Sequence, residues 1–239
     1  MVAAARALGV AVTVLVVGAC ADLGTGEAGT GRLVTIEPEV TECTRLVAER
    51  SFDVTVSVGD GCDLVVRADD NVIDDVIASV NGGTLTLGLS GDYRDVTLEA
   101  EVQVPADALS SISVSGASQV NSPDLLSSDR FDVDATGASE ATLQLESDDL
   151  TVGASGASTV EVTGTGDRID VSASGGSTLR LEQFTAATAS ARADGASMID
   201  LSASDSLQAE ASGASTIRYR GSPTVVTPDV SGASTIEPA

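Results

Sequence analysis

Few groups in this 239-residue chain could do covalent or metal chemistry: three cysteines, Cys20, Cys43 and Cys62, and a crowd of carboxylates. The chain has no His, Lys or Trp, and its 36 acidic residues face 12 basic ones, all arginine. Zinc finds too few nitrogen and sulfur ligands here. The densest carboxylate cluster is "ADDNVIDD", with Asp69, Asp70, Asn71, Asp74 and Asp75, chemistry suited to calcium. Read as an EF-hand loop from Asp69, the required glycine falls on Asp74 and the glutamate on Val80, so that motif fails. The nonapeptide repeat of calcium-binding solenoids is also absent. We read these carboxylates as solvated turn residues and assign no metal and no other cofactor. "GASGA" around Ser155 lacks the last glycine of a nucleophile elbow, and there is no His or Lys to act as its base. A glycosidase needs two carboxylates facing across a cleft. Sugar clefts usually add aromatic platforms, but Phe52, Phe131, Phe184, Tyr93 and Tyr219 are scattered along the chain. The reading is therefore non-enzymatic, with no catalytic residues. The alternative is an envelope-associated carbohydrate-active enzyme with a carboxylate site.

Export gives the cysteines their context. Residues 1–19 read as a lipoprotein signal peptide: Arg6 supplies the positive region, and Val10 to Val17 an apolar stretch too short to span a bilayer comfortably. Val17-Gly18-Ala19-Cys20 resembles a lipobox, which makes Cys20 the lipid-bearing residue; the competing reading is an ordinary cleaved signal with an incidental cysteine. The Gly-rich run that follows makes residues 20–32 a flexible tether. Two cysteines then remain. In an exported protein they favour one disulfide, Cys43 to Cys62, over two buried free thiols. A net charge of −24 repels nucleic acid and anionic headgroups, so membrane contact is expected through the lipid anchor alone.

These residues are positioned by a repeat. Gly-Ala-Ser occurs at Gly116, Gly137, Gly156, Gly195, Gly213 and Gly232, with Gly-Gly-Ser at Gly175, at intervals of 21, 19, 19, 20, 18 and 19 residues. Apolar residues alternate on both sides of each glycine, as in Leu150, Val152, Ala154 before Gly156 and Val160, Val162 after it. That pattern means two half-buried strands joined at a corner, where glycine supplies the backbone angles. Short all-strand repeats of this length form a β-solenoid, here with seven regular coils. Equivalent residues then stack as ladders. Ala135, Ala154, Ala173, Ala193 and Ala211 make a tight corner. Ser118, Ser139, Ser158, Ser177, Ser197, Ser215 and Ser234 are expected inside, bonding along the stack or to bend backbone groups. Five residues after each corner glycine, Glu161, Arg180, Asp200, Arg218 and Glu237 should face outward as a ladder of alternating charge.

Upstream, Phe52 to Val58, Leu64 to Val66 and Leu85 to Leu89 read as strands, and Arg67 to Leu87 as largely irregular, with a turn at Asn81-Gly82-Gly83. "RADDNVIDDVIASVNGGTLTL" followed by repeated "SGAS-x-[V/I]" resembles the GIN-domain family of auto-transporter adhesin heads, from about Arg45 to the C-terminus. The resemblance implies a right-handed parallel β-helix on an exported bacterial protein, with adhesion as the role its name suggests. The expected organisation is 1–19 signal, 20–32 tether and 33–239 β-helix domain, of which 33–108 is irregular and 109–239 carries the regular coils. Partners would be an envelope or surface protein or glycan. Pro228, Pro238 and self-repulsion should keep the head monomeric.

Overall fold

Alternating Val, Leu, Ile and Ala leave the chain one way to bury its apolar side chains: extended strands with one face turned inward. In a computed structural model, which describes residues 26–239, this gives an all-β parallel solenoid. Each coil has a leading strand before its corner and a trailing strand after it. Leading strands stack on leading strands and trailing on trailing: Asp149–Ala154 pairs with 168–173, and Glu140–Glu146 with 159–165, all in parallel. Leu150, Val152, Val160 and Val162 are each at most 1% exposed, as are their equivalents Ile169, Val171, Leu179 and Leu181.

The corners explain the repeated triplet. Corner glycines have positive φ, +83° at Gly137 and +79° at Gly156. A Cβ on Gly156 would lie 2.5 Å from the carbonyl oxygen of Gly137 in the coil below, so no side chain fits. Ser139, Ser158 and Ser177 point inward, and their hydroxyls donate to the carbonyl three residues back, for example Ser158 to Ser155 at 2.9 Å. Ser197 and Ser215 lie within reach of two carbonyls each, one of them in the coil below. The serines thus satisfy corner backbone that the core would otherwise leave unpaired.

Two further layers lie beneath the first Gly-Ala-Ser coil, and they are stacked out of chain order. Arg45–Ala48 and Asp53–Val58 pair in parallel with Ser111–Val114 and Gln119–Ser127 on one side. On their other side they pair with Thr84–Leu89 and Leu98–Val104, which come later in sequence. Arg50 and Ser51, at φ +59° and +67°, make the corner that glycine makes elsewhere. Beyond them the sheet turns antiparallel: Val76–Asn81 pairs with Thr84–Leu89, Asp63–Asp69 with Leu98–Val104, and Leu33–Ile36 with Asp63–Asp69. The segment expected to be irregular therefore contains a strand. Val76, Ala78 and Val80 alternate half-buried against their partner, and Gly82 and Gly83, both at positive φ, close the hairpin. Cys43 and Cys62 flank the 45–58 coil with Cα atoms 5.9 Å apart, a separation that suits a disulfide.

Candidate functional site

The two long faces of the stack carry different side chains at equivalent outward positions. On the trailing face, Glu161 pairs in register with Arg180, Arg180 with Asp200, Asp200 with Arg218 and Arg218 with Glu237. Charges alternate at every step, as the spacing predicts. Arg218 grips Asp200 with two bonds, Nε to Oδ1 at 2.7 Å and Nη2 to Oδ2 at 3.1 Å.

On the leading face, the outward position three residues before each corner reads Ser113, Asp134, Gly153, Ser172, Arg192, Glu210 and Asp229, again in register. The ladder has a gap. Gly153 and Ser172 are too small to fill two adjacent steps, while long side chains stand above them. The result is an open groove of about 520 Å³ running across the coils, with Asp134 at one end and Arg192 and Asp194 farther up. Corner hydroxyls of Ser155, Ser174 and Ser212 line one side. Arg192 is committed to Glu210, Nε to Oε2 at 3.0 Å, and Ser212 donates to Asp194 Oδ1 at 2.7 Å. That hydroxyl, followed by the backbone N–H of Gly195, holds the Asp194 carboxyl below its usual pKa. Glu210 and Asp229 are like charges one step apart, and neither Asp134 nor Asp229 is in an ion pair among the described residues. The leading face thus offers Asp134, Asp229 and corner hydroxyls around a recess, whereas the trailing ladder sets opposite charges at neighbouring steps, with Arg218 and Asp200 in direct contact.

The sequence-stretch weighed for calcium has another use. Asp69 is buried at 1% exposure and accepts the N–H of Thr97 at 2.8 Å and the N–H of Gly31. Asp70 receives the Thr30 hydroxyl and the Arg32 guanidinium, which together lower its pKa. Asn71 donates to Glu27 and to the carbonyl of Ala28. Asp75 accepts the Tyr93 hydroxyl, and that bond raises the pKa of the phenol. These side chains clamp 26–32 onto the outermost layer, where Glu27–Ala28 also pairs with Tyr93–Arg94. Within the expected tether, residues 26–32 make hydrogen bonds and an ion pair to this layer. Among the described residues no group of three or more His, Cys, Asp or Glu could hold a metal ion. Cys20 and the 1–19 signal lie outside the described residues. The sequence names the groove's Ser155 and corner alanines for other reasons and not as a recess, although writing out the ladder three places before each glycine exposes the Gly153–Ser172 gap.

A family profile described as "Putative auto-transporter adhesin, head GIN domain" matches residues 43–223. The chain belongs to the GIN-domain family. Solved structures share the fold of this GIN domain. A "putative adhesin" from Bacteroides fragilis superposes with a TM-score of 0.83 at 23% identity, covering 90% of this chain and all of the other. A "putative lipid binding protein" from Parabacteroides distasonis gives 0.72 at 18% identity, covering 89% and 98%. A "putative adhesin" from Parabacteroides merdae gives 0.70 at 16%, with the same coverage. No curated protein matches the chain.

Proposed function

We propose that this GIN domain is a non-enzymatic adhesive head, exported and lipid-anchored through Cys20, whose leading-face groove contacts an envelope or surface protein or glycan. The observation that carries the reading is the groove. It is a recess where Asp134 and Asp229, in no ion pair among the described residues, converge with corner hydroxyls, in a family described by adhesion. Asp194 is already bonded to Ser212 and Glu210 to Arg192, which leaves Asp134 and Asp229 to accept hydrogen bonds from a partner, an arrangement that favours contact over proton transfer.

The clamp on 26–32 gives this reading a geometry. Lipid on Cys20 would leave five residues between the anchor and Gly26, and the six residue steps from Cys20 to Gly26 reach at most about 20 Å. The antiparallel end of the stack would then sit against the membrane, with the coils projecting away from it.

The test takes the full chain in two steps. Cys20→Ala should abolish detergent partitioning of the exported protein. Immobilised wild type should retain envelope material saturably and release no product from polysaccharide substrates. Product release would favour the carbohydrate-active alternative, and failure to retain anything would end the adhesive reading.

A further inference from the structure

Opposite charges occupy neighbouring steps of the trailing ladder, and one pair of coils on the leading face does the reverse. Glu210 lies in register with Asp229, so two carboxylates stand one coil apart. Like charges facing each other across paired strands oppose the pairing. No such step occurs on the trailing ladder between Glu161 and Glu237. The repulsion falls in the groove, whose lining has four carboxylates, Asp134, Asp194, Glu210 and Asp229, and one cation, Arg192. Glu210 already engages that guanidinium, Oε2 to Nε at 3.0 Å. A positively charged partner would offset the imbalance, and an anionic one would worsen it.

Length and lining narrow the partner further. Asp134 and Asp229 are five coil steps apart. At about 4.8 Å per step that is roughly 24 Å, which an extended polypeptide covers in about seven residues. Between the two ends, Gly153 and Ser172 leave room for its side chains, and the hydroxyls of Ser155 and Ser174 offer donors and acceptors to its backbone. No aromatic residue lines the groove, so a sugar ring has no platform to stack on.

We propose that the groove receives an extended polypeptide segment carrying lysine or arginine, laid along the solenoid axis across the coils. Its cationic side chains meet Asp134 at one end and the Glu210–Asp229 pair at the other. This rests on the adhesive reading and narrows its partner to a basic protein segment.

The test measures the affinity of the full chain, in excess non-ionic detergent, for a short fluorescent peptide of alternating lysine and serine. Asp134→Asn with Asp229→Asn should weaken binding at least about tenfold. Glu140→Gln with Glu146→Gln removes the same charge from exposed positions of a trailing strand, and should weaken it by less than about twofold. Arg192→Gln removes the groove's cation and releases Glu210, so it should tighten binding about threefold. Equal weakening by the two double variants would mean attraction to the net charge alone, and overturns the proposal. Weaker binding by Arg192→Gln, or tighter binding of amine-bearing chitosan oligomers than of the peptide, also overturns it. So does a folded wild type that binds no peptide. If that protein still retains envelope material saturably, the adhesive reading stands and the class of partner is what fails.

Discussion

The leading and trailing faces are built from the same coils, in the same register and around one core, yet they dispose of their charges differently. The trailing face places an opposite charge at each step from Glu161 to Glu237, an alternation that specifies the register of the stack. The leading face omits two side chains, at Gly153 and Ser172, and stacks Glu210 beside Asp229. Stacking order therefore does not dictate surface function. A solenoid fixes where equivalent residues lie, and single positions within a ladder decide whether it is closed or open.

The largest expected effect comes from the corner that joins the faces. Gly156→Val forces a β-branched residue to φ +79° against the Gly137 carbonyl, and should cost about 3 kcal/mol in chemical denaturation. Gly153→Ala, on the groove floor, meets the Asp134 carboxylate at 2.9 Å, a flexible side chain that can move. It should stay within about 1 kcal/mol of wild type. Similar losses for the two would erase the distinction between structural glycine and groove glycine.

Reversing one rung of the trailing ladder comes next. Arg218→Glu puts a third negative charge between Asp200 and Glu237 and removes the two-bond ion pair. A loss of about 1 kcal/mol is expected, shrinking as salt is added, since these groups are partly exposed. An unchanged melting temperature at low salt would show that the alternation contributes nothing to stability.

The smallest effect concerns the leading face. The Asp194 pKa is depressed in the folded protein, so the bond from Ser212 favours folding above the ordinary carboxylate pKa of about 3.9 and is lost as pH falls through the folded value. Ser212→Ala should raise the Asp194 pKa towards its ordinary range in a carboxyl NMR titration. Its stability difference from wild type should vanish in acid below both values. An unmoved titration would mean that the Gly195 N–H alone holds the carboxylate.

Much of this was legible in the sequence. Two-residue alternation around Gly116 to Gly232 gave the coils, the inward serines and the charge register, because each rests on local periodicity. What stayed hidden depends on distant partners. The clamp joins Asp69, Asp70 and Asn71 to residues about forty positions earlier, and carboxylates in a turn carry no sign of which backbone they will meet. The 45–58 coil has Arg50-Ser51 at its corner, so no triplet marks it, and its place between later strands cannot be read from order along the chain. The groove was hidden for a different reason. It arises from missing side chains, and attention to apolar and charged ladders passes over small residues.

The central claim is that the leading face makes contact and the trailing face does not. Immobilised full chain carrying Gly153→Gln with Ser172→Gln, which fills the groove, should be compared with Thr142→Gln and Glu161→Gln on the trailing face. Saturable retention of envelope material should weaken at least about tenfold, some 1.4 kcal/mol, in the groove variant and by less than about twofold in the other. Equal retention by both, or a greater loss from the trailing-face variant, would contradict the account.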